Sequence, residues 1–197
     1  KENRHYHRMF NDHKISVIIP VFNEDNFIAS VIDGIPEIVD FILVVNDAST
    51  DNTARVLDNL KTKPRASQLV VLNHSHNRGV GAAILTGYAH ALSSNMVSSP
   101  NTHILAVMAG DGQMDPLDLP SLLEPIATKQ ADYVKGNRFH SRHNMRLIPI
   151  PRRYGIQFFT WMTHIAAGIR PGQFQDAQCG YTAANETFIK SLLTADI

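Results

Sequence analysis

Residues 14–24, KISVIIPVFNE, begin as an unbroken apolar, β-branched run and end in a polar turn. The run does not alternate cleanly between apolar and polar residues. A strand buried on both faces reads this way, and such strands belong to parallel sheets covered by helices on both sides. Working outward, Phe27, Val31, Ile32 and Ile35 recur at helical spacing until Pro36 closes the segment. Phe41–Val45 reads as a second buried strand, Asn46–Asp51 as a polar turn, and Thr53–Leu60 as a helix. Leu69–Leu72 is a third strand, His74–Gly79 a loop, Gly81–Leu92 a small-residue helix and Ile104–Met108 a fourth strand. Ala109–Asp115 is a glycine-bearing loop. Pro116 suits a first helical position, with Leu119, Leu122, Leu123 and Ile126 as the apolar stripe behind it. Tyr133–Lys135 is a short fifth strand. Strand and helix thus alternate from residue 14 to residue 135, which predicts an α/β fold with an open, mostly parallel sheet flanked by helices.

Beyond that point the pattern loosens. Phe139–Pro151 is polar and basic, Tyr154–Ala167 has the spacing of an aromatic-rich helix, and Arg170–Gly180 reads as a loop. Residues 1–13 are polar and are expected to form a flexible arm, leaving 14–197 as a single domain. The closing SLLTADI follows a helical pattern without Gly or Pro, so the chain is expected to be a C-terminally truncated part of a longer parent. The 18 basic residues balance the 18 acidic ones, which argues against a nucleic-acid partner held by a broad basic surface. The ten histidines are scattered without zinc spacing, and Cys179 is the only cysteine. A lone cysteine makes no internal disulfide, so a reducing, cytoplasmic location is expected. No apolar run reaches the roughly 18 residues that a membrane span needs.

Parallel sheets place ligands beyond the carboxyl ends of their strands. Asn23, Glu24, Asp47, Asp51 and Asp111 all fall just past predicted strand ends. Several acids converging on one edge are economically explained by a metal bound together with phosphates. By spacing alone, Asp47 also reads as a turn or capping residue, and Asp111–Gly112 as a simple turn. NRGVGAA at 77–83 lacks the GxGxxG spacing and does not follow the first strand, so a dinucleotide site is disfavoured. No GxxxxGK[ST] phosphate loop occurs.

Six blocks, in order, then carry a resemblance. They are ISVIIPVFNE at 15–24, ILVVNDASTDNT at 42–53, HNRGVGAAILTGY at 76–88, VMAGDGQMDPLDL at 107–119, KGNRF at 135–139 and DAQCGYTA at 176–183. Over residues 14–190 the chain resembles the inverting family 2 glycosyltransferases. Within them it is most similar to the dolichyl- or polyprenyl-phosphate mannose and glucose synthase branch. The resemblance implies a GT-A type fold, the Rossmann-like architecture of nucleotide-diphospho-sugar transferases. It implies transfer of a hexose from a UDP- or GDP-sugar to a polyprenyl phosphate, with Mg2+ or Mn2+ as cofactor.

It also implies residue roles. Pro20, Asn23 and Glu24 would line the base and ribose, and Asp47 would accept from the nucleotide with Asp51 in the same turn. Asp111 would hold the metal on the donor diphosphate with Gln113 as second ligand. The family's first metal-site Asp falls on Ala109 here, which implies fewer protein ligands than usual. Arg138 matches an arginine that faces the donor phosphates, where a guanidinium fork supports the departing charge. Asp176 matches the acceptor-side acid, with Gln178 as its neighbour at the sugar. An acceptor hydroxyl needs a carboxylate base, whereas a lipid phosphate is already ionised, so Asp176 would then orient rather than deprotonate. Cys179 lacks the context of a nucleophile and reads as packing.

Arg142, Arg146, Arg152 and Arg153 lie in or beside MRLIPIPRRYGIQFFTWM at 145–162, with Phe158, Phe159 and Trp161 among them. That mixture suits a surface meeting anionic lipid headgroups, although an inward-facing helix beside a basic loop accounts for it as well. The enzyme is therefore expected at the cytoplasmic membrane face, peripherally or through a tether outside this sequence. A homo-oligomer stays open. Two other readings stand beside the first: transfer to a saccharide or other hydroxyl acceptor in envelope polysaccharide synthesis, and a non-catalytic nucleotide-sugar-binding protein.

Overall fold

Pro20 lies inside a central strand, where a missing N–H normally breaks a ladder. In the computed structural model, which describes residues 10, 12–63, 65–93, 102–137 and 179–194, the ladder itself explains the tolerance. Strand β1 (Lys14–Val21) pairs in parallel with β2 (Phe41–Asn46) on one side and β4 (His103–Val107) on the other. Pairing with β4 runs only to Ile18 opposite Val107, and Met108 N–H closes it on the Ile18 carbonyl at 3.0 Å. Even-numbered residues of β1 point their backbone groups toward β4, so Pro20 falls where that neighbour has ended.

β3 (Leu69–Asn73) pairs in parallel with β2, and the sheet order is β3-β2-β1-β4-β6-β5. β5 (Tyr133–Lys135) and β6 (Thr182–Asn185) complete the far edge. β6 runs antiparallel to both β4 and β5. The open, mostly parallel sheet is thus present, with one reversed strand that sequence pattern does not reveal. Alanine is a poor strand former, and TAAN carries no β-branched run. Its place comes from tertiary fit, since Ala183 and Ala184 are fully buried between two neighbours.

Helices cover both faces. α1 (Ile28–Gly34), α2 (Thr53–Leu60) and α4 (Leu119–Ala127) pack their apolar stripes with Ile15, Val17 and Ile19 in one core cluster. α3 (Val80–Ser93) and α5 (Glu186–Thr194) pack with Ile18, Leu43 and Leu105 in the other. This double burial is why KISVIIPV does not alternate. Pro116 opens a single 3-10 turn, Pro116–Asp118, rather than the helix itself; the Asp115 carboxylate accepts the Leu117 N–H at 2.9 Å and α4 starts at Leu119. Phe10, within the stretch expected to be a flexible arm, is buried in the first cluster, and its carbonyl accepts the His13 N–H at 2.9 Å. The expected helix at 154–167 and the loops at 139–151 and 170–178 lie outside the described residues.

Candidate functional site

The turns after β1 and β2 are laced together at the carboxyl edge of the sheet. Asn23 adopts a left-handed φ of +58°, donates its N–H to Ser49 Oγ at 3.0 Å, and accepts at Oδ1 from the Thr50 N–H at 2.8 Å. Glu24 N–H reaches Thr53 Oγ1 at 2.9 Å. Asp51 accepts the Thr53 N–H at Oδ1 and the Asp25 N–H at Oδ2, at 2.9 and 3.2 Å. Burial would raise the Asp51 carboxyl, but hydrogen bonds from Thr53, Asp25 and its own backbone outweigh it and hold the group below the usual carboxylate range. Asn23 and Asp51 are therefore at the expected edge, with oxygens engaged in fixing the turns.

Asp47, one residue past β2, is 3% exposed. Its Oδ1 accepts from His74 Nδ1 at 2.6 Å and from the Arg78 N–H at 2.9 Å, and its Oδ2 accepts the Gly79 N–H at 2.8 Å. Burial pushes this carboxyl up, yet the bonds from Arg78, His74 and Gly79 prevail and its pKa lies below the ordinary value. A carboxylate has room for about four hydrogen bonds, and the described residues fill three of these positions on Asp47. Arg78 itself is exposed beside this carboxylate.

The loop after β4 turns at Gly112, whose φ of +72° favours glycine. Asp111 Oδ1 accepts the Gln113 N–H at 3.0 Å, and no described residue bonds its other oxygen. Phe27 lies under the turn, since a Cβ on Gly112 would stand 3.5 Å from its ring. The pKa of Glu24 is raised by its burial and then by the negative charges of Asp111 and Asp51. At Glu24, Asp51 and Asp111 the edge thus holds negative charge that no ion pair among the described residues neutralises. Among the described residues no three His, Cys, Asp or Glu side chains are placed to hold a metal by themselves. Asp111 and the exposed Gln113 fit a divalent ion whose other ligands are phosphate oxygens and water, because an all-oxygen, two-ligand protein set suits Mg2+ or Mn2+.

The structure brings Pro20, Asn23, Glu24, Asp47, Asp51, Asp111 and Gln113 to one edge. Arg138, Asp176 and Gln178, with Arg142, Arg146, Arg152, Arg153, Phe158, Phe159 and Trp161, lie outside the described residues. Cys179 is buried at 5% exposure in the core, and a Cβ on Gly136 would sit 3.3 Å from its Sγ. Sequence reasoning passes over Phe22, which is 45% exposed immediately past β1. An apolar residue ending an apolar run gives no hint that it faces solvent. It also passes over His74 and Thr86, whose partners are remote in sequence.

The open α/β sheet, with acid-bearing turns past its parallel strands, is of the GT-A type. The chain belongs to glycosyl transferase family 2, whose sequence pattern matches residues 16–192. It is 26% identical over 192 residues to UDP-N-acetylglucosamine–dolichyl-phosphate N-acetylglucosaminyltransferase of Methanococcus voltae, covering 92% of this chain and 73% of that protein. It is also 26% identical to dolichyl-phosphate beta-glucosyltransferase of Drosophila melanogaster, covering 92% of this chain and 57% of the relative. Such relatives place it beside the polyprenyl-phosphate sugar transferases. In three dimensions it is similar to glucosyl-3-phosphoglycerate synthase of Mycobacterium tuberculosis, solved with Mn2+, uridine diphosphate and glucosyl-3-phosphoglycerate. That likeness has a TM-score of 0.65 at 22% identity and covers 92% of this chain and 60% of the synthase, so it speaks for the fold.

Proposed function

We propose that this glycosyltransferase moves a hexose, with inversion, from a UDP- or GDP-sugar to a polyprenyl phosphate at the cytoplasmic membrane face. The observation that carries the donor half is the Asp111 turn. It presents a carboxylate oxygen that no described residue bonds, on the edge where Glu24 and Asp51 add negative charge. Asp111 and Gln113 would hold Mg2+ or Mn2+, and the bound ion neutralises charge on the departing diphosphate. Phe22 offers an exposed ring on which a base stacks, and Asp47 would accept from the nucleotide. Arg138 supports the leaving group, and Asp176 and Gln178 orient sugar and acceptor; these three roles rest on the sequence resemblance.

The acceptor half is supported by the names of the relatives. A polyprenyl phosphate oxygen is already ionised and attacks without a general base. Among the described residues no helix is long and apolar enough to cross a membrane. A second reading is transfer to a saccharide or other hydroxyl acceptor; the fold neighbour was solved in complex with a sugar-bearing compound of a soluble kind, glucosyl-3-phosphoglycerate.

Labelled UDP- and GDP-hexoses offered with short polyprenyl phosphates in detergent test the proposal. Transfer to the lipid phosphate, lowered by Arg152→Ala or Arg153→Ala, is expected. Transfer to soluble sugars with none to any lipid phosphate would move the assignment to the second reading. Binding of donor without any transfer or donor hydrolysis would favour the non-catalytic reading that Ala109 raises.

A further inference from the structure

The Asp47 carboxylate is one end of a hydrogen-bonded chain that ties three elements together. His74, just past β3, turns Nδ1 to Asp47 Oδ1 at 2.6 Å and Nε2 to Thr86 Oγ1 at 3.0 Å. Thr86 belongs to α3, so the chain runs from the end of β2 through the loop into the helix. The His74 and Asp47 side chains are each 5% exposed. Nδ1, facing a carboxylate that can only accept, donates to it, and Nε2 shares a hydrogen bond with the Thr86 hydroxyl. The same carboxylate holds the Arg78 and Gly79 N–H groups, and Asn77 Oδ1 adds a second bond to Gly79 at 3.0 Å.

These contacts fix a loop with no apolar anchor of its own. Ser75, His76, Asn77 and Arg78 are exposed, and loops of that kind open readily. Burying a carboxylate and an imidazole is a costly way to start a helix. It is an effective way to hold a ligand-facing loop in one shape before the ligand arrives, because binding then no longer has to order it. We infer that His74 and Thr86 are positioning residues for the donor nucleotide. They orient Asp47 and, through it, the Arg78–Gly79 backbone at the sheet edge. The inference rests on the nucleotide-diphosphate reading of that edge.

The test is a paired measurement on the whole chain: UDP and GDP affinity by calorimetry in Mn2+, and hydrogen exchange of the Arg78 and Gly79 amides by NMR. Thr86→Val keeps size and shape while deleting the hydroxyl. It is expected to weaken nucleotide binding roughly tenfold and to speed exchange of those two amides. Thr86→Ser should recover both, and His74→Ala should exceed Thr86→Val in both. In the transfer assay the donor KM should rise with kcat little changed. If wild-type protein binds nucleotide and Thr86→Val and His74→Ala bind it equally well, the inference falls while the donor site stands. Thr86→Ser behaving like Thr86→Val would also overturn it, since the hydroxyl would then not be the cause. If wild-type protein binds neither nucleotide, the donor-site reading fails and takes the inference with it.

Discussion

Ala48 sits at a φ of +58°, in the turn between Asp47 and Ser49. A Cβ in that region costs about 1–2 kcal/mol against glycine, part of which glycine gives back as unfolded-chain entropy. Ala48→Gly is expected to leave stability unchanged or raise it by up to about 1 kcal/mol in urea unfolding, with nucleotide affinity retained. Marked destabilisation would show that the turn is shaped otherwise. His103 gives a second test. It is 2% exposed at the start of β4 and lies 2.7 Å from Ser16 Oγ. Burial lowers its pKa to about 4 from 6.5, against the opposing pull of Glu186 and Asp40. The unfolded chain therefore binds a proton first as pH falls. Stability is full above pH 6.5 and is lost progressively down to about pH 4, by on the order of 2–3 kcal/mol. His103→Gln should flatten the pH dependence of the urea midpoint across that window; an unchanged slope would exclude His103 as its source. Asp47 and Asp51, held low, contribute their loss only below about pH 4. At this scale sequence reading finds positions better than roles. The strand ends put Asn23, Asp47 and Asp51 on the ligand edge. Their internal partners, Thr50, His74, Gly79 and Asp25, become visible only once loops distant in sequence are side by side.

Between elements, α3 packs tightly on β1 at Gly87. A Cβ added at Gly87 would stand 2.5 Å from Ile18 Cγ2, and Ile18 is fully buried. Gly87→Ala should destabilise the fold by about 1–3 kcal/mol through overpacking. Ile18→Ala alone leaves a cavity, but the double variant should cost clearly less than the two single costs together, because the new methyl enters the vacated space. Strict additivity in urea unfolding would contradict the contact. Periodicity identifies the parallel strands and their helices because each is an apolar run bounded by turn residues. It misses β6, whose Ala183 and Ala184 fit because they are small rather than because they favour extended backbone. The first helical residue after Pro116 is likewise misplaced by three, because the Asp115 side chain stabilises an intervening 3-10 turn.

Across the whole molecule, the turns after β1, β2 and β4 and the loop after β3 meet at one edge, where the proposed donor site lies. The fold class follows from pattern, since alternating strands and helices admit few topologies. The positions of the proposed donor half follow from strand ends, and their roles rest on the resemblance. The proposed acceptor half would use Asp176 and Gln178, which the resemblance names and which, like Arg138 proposed for the donor phosphates, lie outside the described residues. The central claim is that a nucleoside diphosphate binds at this edge together with a divalent ion on Asp111. Calorimetric titration of UDP and GDP, with Mn2+ and then with EDTA, tests it most directly. Wild-type protein is expected to bind at least one of the two in Mn2+. EDTA should weaken that binding, and Asp111→Ala should weaken it about tenfold or more. Lys61→Ala, on the surface past the far end of α2, should leave it unchanged. Failure to bind either nucleotide, or binding indifferent to both Mn2+ and Asp111, would contradict the account.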